Sequence, residues 1–250
     1  MILNKIVPRY YNKRNNTVFS PPFGFDKPSQ QYVDADYWNN YPVKDYNYSF
    51  NKWAFRGEDY DQYLGSAVNI CLGDSFTLNL GGPIESSWPY QLSTYFNIPC
   101  LNLGVDGAGN DTIYMIYKWA INNFNVQNVF VMYSFFHRRY DHKEKSMLHH
   151  TYSSTEDLEN FKFFKKYKIK NAFFTFLPPW CWSDSELEFI KQQDSRYFKL
   201  YETSRYENKE LLRKTLSNRD GFHLNHQGNF LVSIFFKNQY NNYINSLGNS

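Results

Sequence analysis

Three residues of this chain could do nucleophilic chemistry together. They are Ser75, in Gly73-Asp74-Ser75-Phe76-Thr77, and the acid and imidazole of Asp220-Gly221-Phe222-His223. A serine hydroxyl is a weak nucleophile at neutral pH, so an imidazole must take its proton and a carboxylate must hold that imidazole in one tautomer. The close spacing of Asp220 and His223 lets both sit on one short turn facing an incoming serine, and Asn225 can start a helix that fixes the turn. Ser75 follows the apolar run Ala67-Val68-Asn69-Ile70-Cys71-Leu72. Such a run reads as a buried strand, which puts the serine at a strand's C-terminal end, where open α/β sheets place their ligand crevices.

The elements that must position these residues alternate from residue 66 onward. Strand patterns cover 67–72, 99–103, 128–133, 171–176 and 197–201, and helical patterns cover 87–97, 110–124, 155–168, 184–193, 207–217 and 226–245. Ser86-Ser87-Trp88-Pro89 fits a helix start, because proline is tolerated in the first turn, and Asn110 or Asp111 can cap the next helix. Alternation of this kind predicts a mostly parallel sheet with helices on both faces. Residues 135–155 form a charged loop after the third strand, placed to reach a substrate. Residues 1–60 read as an irregular arm that packs on the core, since Pro8, Pro21, Pro22, Pro28 and Pro42 interrupt a stretch without periodicity. Residues 61–250 then form the α/β domain.

Composition bounds the reading. The chain has 27 basic and 24 acidic residues in 250, a net charge of +3. That balance is too even to imply a nucleic-acid partner, and none is expected. The N-terminus is too short in apolar residues for a signal peptide, and no stretch approaches a membrane span, so a cytoplasmic or virion-associated protein without membrane contact is expected. Cys71, Cys100 and Cys181 cannot all pair within one chain and read as free thiols. His137, His142, His149 and His150 lack partners at ligand spacing, so no metal is expected. Aromatic residues make up 20% of the chain, enough that some rings should line a binding surface.

The strand-to-Ser75 turn, Asn102-Leu103-Gly104-Val105-Asp106-Gly107 and Asp220-x-x-His223 followed by Leu224-Asn225-His226-Gln227-Gly228 together resemble the SGNH, or GDSL, hydrolases from about Asn51 to the C-terminal helix. The resemblance implies a flavodoxin-like three-layer α/β/α sandwich with about five parallel strands. It also implies Ser75 as nucleophile, His223 as general base, Asp220 as its orienting acid, and the Ser75 and Gly107 amides as oxyanion donors. One block departs from the family: where its members carry Gly-x-Asn-Asp, this chain reads Val131-Met132-Tyr133-Ser134-Phe135-Phe136. Ser134 is the nearest replacement for the asparagine as third oxyanion donor, and Asn110, Arg138 and Arg56 are candidate substrate contacts.

These residues imply a serine-dependent ester hydrolase that removes O-acetyl or short acyl groups from a carbohydrate without a cofactor. A lipid or thioester acylhydrolase is the alternative within the same chemistry. A binding or structural module with weakened catalysis, such as a viral (phage) particle component, is the alternative outside it, with the aromatic N-terminal arm making particle or homo-oligomer contacts.

Overall fold

A computed structural model describes residues 14–20, 46–141, 146–149, 154–202, 209–218 and 220–248. Its strands are β1 (Thr17–Phe19), β2 (Tyr48–Phe50), β3 (Ala67–Gly73), β4 (Cys100–Gly104), β5 (Asn125–Tyr133), β6 (Arg138–Asp141), β7 (Ser146–His149) and β8 (Phe173–Phe176). Its α-helices are α1 (Ser75–Leu78), α2 (Trp88–Phe96), α3 (Asn110–Ile121), α4 (Ser154–Tyr167), α5 (Asp184–Gln193), α6 (Arg196–Glu202), α7 (Lys209–Leu216) and α8 (His226–Gly248).

The central strand is β3. All of its residues after Ala67 are buried, as a parallel strand covered on both faces requires. The main sheet has the order β4-β3-β5-β8, with every pairing parallel. The chain thus passes from β3 to β4 on one side, then crosses back to β5 on the other. This is the strand order of flavodoxin-like sheets, and it opens a crevice at the C-terminal ends of the strands flanking the switch.

Two helical layers cover the sheet. The β5 side chains alternate between them: Phe130 packs on Phe96 of α2 and Phe236 of α8, while Tyr133 faces Phe164 of α4. The molecule is therefore a three-layer α/β/α sandwich, with four strands in its parallel sheet among the described residues. The strand expected at 197–201 is instead part of α6. Tyr197, Leu200 and Tyr201 are buried together, at the i, i+3, i+4 spacing of one helical face.

Helix starts follow local chemistry. The Ser87 side chain accepts from the Tyr90 N–H with Pro89 in the first turn, and Ser183 with Glu186 forms a capping box. Neither Asn110 nor Asp111 is the cap of α3, since Gly109 holds that position and both expected residues lie inside the first turn. Their side chains are drawn away to the β5–β6 region: Asn110 bonds Ser134, and Asp111 accepts from the Tyr140 N–H at 2.9 Å. Within the 135–155 loop the described residues contain the antiparallel pair β6–β7. Much of the N-terminal arm, residues 1–13 and 21–45, lies outside the described residues. Its described part supplies the antiparallel pair β1–β2.

Candidate active site

The turn after β3 is built around Asp74, which has no exposed surface. Its Oδ1 accepts from the Phe76 N–H at 3.1 Å, and its carbonyl accepts from the Thr77 and Leu78 N–H groups, so it starts α1 as an N-cap. The Ser75 N–H is left without an acceptor among the described residues. Helix α1 lies directly on the backbone of β4: a Cβ added at Gly104 would sit 2.3 Å from the Leu78 nitrogen. The helix ends at Asn79 in the left-handed region, with φ 64 and ψ 57, a conformation asparagine tolerates better than most residues.

The histidine loop is held from both ends. The Asn218 N–H donates to the His223 carbonyl at 2.6 Å, and the Gly221 N–H, at φ 67, donates to the Asn218 carbonyl at 2.7 Å. Asn225 Oδ1 accepts from the Gly228 N–H at 2.9 Å and so caps α8. A longer tie, from Asn218 Nδ2 to the Leu80 carbonyl at 3.0 Å, fixes this loop to the segment that follows α1. The two halves of the site are therefore tied to one another.

Across that tie the three side chains form a continuous hydrogen-bonded series. Asp220 Oδ1 accepts from the N–H groups of Phe222 at 2.8 Å and His223 at 3.0 Å, while Oδ2 lies 2.5 Å from His223 Nδ1. His223 Nε2 lies 2.8 Å from Ser75 Oγ. Burial acts to raise the Asp220 carboxyl, yet the charge and hydrogen bond of His223 with the two backbone donors outweigh it and hold Asp220 below the usual range. An ionised Asp220 only accepts, so Nδ1 carries the proton; in the neutral ring Nε2 is then the acceptor for the Ser75 hydroxyl. Burial acts to lower the His223 pKa. The charge and hydrogen bond of Asp220, aided by Asp106 and Asp74, more than reverse it and raise the imidazole above its usual value. Such an arrangement can accept a serine proton and stabilise the resulting imidazolium.

The other expected residues divide. Gly107 has φ 74 and an N–H without an acceptor among the described residues, in the loop directly after β4. Glycine fits there because that backbone conformation costs it little. Ser134 is no oxyanion donor in this arrangement, because its hydroxyl donates to Asp74 Oδ2 at 2.7 Å and it is fully buried. Asn110 is likewise removed from substrate: its Nδ2 donates to the Ser134 carbonyl at 2.8 Å, and its Oδ1 accepts from the Ser134 N–H at 2.9 Å. Arg56 is 1% exposed and donates to the carbonyls of Leu78, Asn79 and Gly82, so it braces the end of α1 and does not reach a ligand. Arg138 does lie at the site, where Nη1 donates to Asp74 Oδ2 at 2.9 Å.

Sequence reasoning passed over several supports. Asn79, Asn218 and Asn229 form buried ties around the nucleophile turn: Asn229 Nδ2 donates to Asn79 Oδ1 at 2.9 Å, and Asn79 Nδ2 to the Pro83 carbonyl at 2.7 Å. The available signal was slight: one asparagine, Asn79, follows Ser75 closely, and Asn218, Asn225 and Asn229 flank His223. Arg14, whose Nη2 lies 3.2 Å from Asp106 Oδ2, had none.

Fold and site together define a three-layer α/β protein with a serine, an imidazole and a carboxylate in hydrogen-bonded sequence at the C-terminal edge of its parallel sheet. Among the described residues, no cluster of His, Cys, Asp or Glu could hold a metal ion, and no helix is long and apolar enough to cross a membrane. No family model and no curated protein matches the chain. Solved structures similar to it include a member of the lipolytic protein G-D-S-L family from Veillonella parvula, at 16% identity and TM-score 0.40, covering 68% of this chain and 96% of that one. The psychrotrophic esterase EstA from Pseudoalteromonas sp. matches at 14% identity and TM-score 0.43, over 72% of this chain and 98% of the other. A family 3 carbohydrate esterase from Clostridium thermocellum matches at 15% identity and TM-score 0.40, over 73% and 99%.

Proposed function

We propose that this chain is a serine-dependent ester hydrolase of the SGNH type that removes O-acetyl or other short acyl groups from a carbohydrate. The observation that carries the reading is the series Ser75 Oγ to His223 Nε2 at 2.8 Å and His223 Nδ1 to Asp220 Oδ2 at 2.5 Å. His223 takes the Ser75 proton as the oxygen attacks the ester carbonyl, and the unengaged N–H groups of Ser75 and Gly107 receive the charge that develops on the carbonyl oxygen. The imidazolium returns its proton to the leaving alcohol. Water, deprotonated by the same histidine, then releases the acyl group from Ser75.

A short acyl group is favoured because Ser75 and His223 are each only 3% exposed and Phe76 and Phe222 pack against the imidazole. No cofactor enters this chemistry. One observation favours the non-catalytic alternative: with Ser134 bonded to Asp74, two amides and no side chain of the 131–136 block are available to the oxyanion, and loss of one such donor costs ~10²–10³ in turnover. A fluorophosphonate probe separates the readings. Labelling of the wild type but not Ser75→Ala, with turnover of a two-carbon aryl ester exceeding that of an eight-carbon one, supports the short-chain hydrolase. Preference for the longer acyl chain selects the lipid or thioester alternative, and absence of labelling selects the binding or structural module.

A further inference from the structure

Arg138 stands between the two loops that carry the free amides of the site. Its side chain reaches the nucleophile turn through Asp74, while its own carbonyl lies so close to the loop after β4 that a Cβ at Gly109 would meet it at 2.7 Å. Its guanidinium is seated 4.4 Å from the centre of the Phe135 ring, and Phe135 stacks in turn on Phe222, the neighbour of His223. The cation is thus fixed in direction by an acid on one edge and an aromatic face beneath.

The use of its donors is lopsided. Side-chain hydrogen bonds to Asp74 Oδ2 at 2.9 Å and Ser134 Oγ at 3.3 Å both leave from Nη1, whereas Nε is buried and has no acceptor. A buried guanidinium N–H without a partner is costly, and the Nε side of the group is the fork that binds planar oxyanions with two parallel hydrogen bonds. Nε itself has no surface, but the side chain is 12% exposed, so the guanidinium as a whole reaches solvent. Two of the three acids nearby have a cation of their own: Asp74 is paired with Arg138 itself and Asp106 with Arg14.

We infer that the Nε edge of Arg138 is a recognition site for a carboxylate carried by the substrate, so that the preferred esters are acyl groups on acidic sugars such as hexuronates. The catalytic part rests on the hydrolase reading; the binding part does not. Arg138→Lys tests it, because lysine keeps a cation for Asp74 but lacks the planar fork. The wild type is expected to cleave an O-acetyl hexuronate at least tenfold better, in kcat/KM, than its uncharged methyl ester. In Arg138→Lys that ratio is expected to fall at least tenfold, to about one, chiefly through KM, as loss of a charge-assisted pair implies. Free hexuronate should also raise the wild-type Tm and not that of the variant, and a sugar phosphate tested beside it shows whether the fork takes carboxylate or any oxyanion. No preference for the acidic ester, or an equal loss of kcat on both esters in the variant, overturns the inference and leaves the hydrolase standing. If neither ester is cleaved, fluorophosphonate labelling and aryl-ester turnover still decide the hydrolase reading, and the binding arm decides the site: hexuronate that binds both proteins equally, or neither, overturns it.

Discussion

At the scale of single residues, the acid–base setting of His223 makes a signed prediction. Its pKa lies above the usual 6.5 because Asp220 outweighs burial, and the base works only when neutral. The acid limb of kcat/KM should therefore have its midpoint above pH 6.5. Asp220→Asn removes the largest raising influence and leaves burial opposed only by Asp106 and Asp74, so the limb should shift to lower pH while turnover falls roughly 10⁴-fold. A pH–rate profile of both proteins checks this, and a limb that stays in place sinks it. The same shifts enter stability with opposite signs. The contribution of His223 is complete below its unfolded pKa of about 6.5 and is lost as pH rises through its raised folded value; that of Asp220 is complete above about 3.9 and is lost as pH falls through its lowered one. Ser134→Ala tests a different bond. Asp74 loses one donor but keeps Arg138 and the Phe76 N–H, so the expected cost is about 1–3 kcal/mol of stability with turnover reduced less than tenfold. A loss of ~10²-fold or more without loss of stability would instead mean that Ser134 serves the oxyanion.

At the scale of elements, α1 and β4 are positioned by the absence of a side chain. With a Cβ at Gly104 falling 2.3 Å from the Leu78 nitrogen and 2.8 Å from the Thr77 carbonyl carbon, Gly104→Ala must push α1 off the sheet. Overpacking of this kind costs about 1–3 kcal/mol, and because α1 begins at Ser75 the rate of fluorophosphonate labelling should fall with it. Gly248→Ala, where nothing lies within 4 Å, serves as the control expected to change neither Tm nor labelling. The contrast bears on what could be read from sequence. The hydrogen-bonded set Ser75, His223 and Asp220 was legible because each sits in a short motif whose neighbours determine its geometry. The alternation of β3, β4, β5 and β8 with helices was legible for the same local reason. Tyr197-Phe198-Lys199-Leu200-Tyr201 was not: its residues suit a strand, and only burial of Tyr197, Leu200 and Tyr201 on one side makes it helix. The roles of Ser134, Asn110 and Arg56 were also hidden, since each depends on an acceptor or donor at least 22 residues away in the chain.

At the scale of the whole molecule, aromatic side chains join helices to the sheet among the described residues, with Phe136, Phe164, Phe176 and Trp182 packed on one another. Charge does the corresponding work on the N-terminal side. Arg56 crosses from the segment before β3 to donate to the carbonyls of Leu78 at 3.1 Å, Asn79 at 2.6 Å and Gly82 at 2.8 Å, and its guanidinium lies 4.3 Å from the centre of the Tyr48 ring. The Tyr48 hydroxyl in turn accepts from the Gly81 N–H at 2.7 Å. One buried cation thus fastens β2, the end of the nucleophile helix and the following loop together. Arg56→Met keeps much of the volume but leaves those carbonyls without a donor, for a loss of about 3 kcal/mol or more. In a domain of this size that is a Tm lower by roughly 6–12 °C. Because the guanidinium faces carbonyls and not the cleft, KM for a short aryl ester should stay within about twofold of the wild type when measured well below the transition. A raised KM with an unchanged Tm would return Arg56 to the substrate and take the brace away.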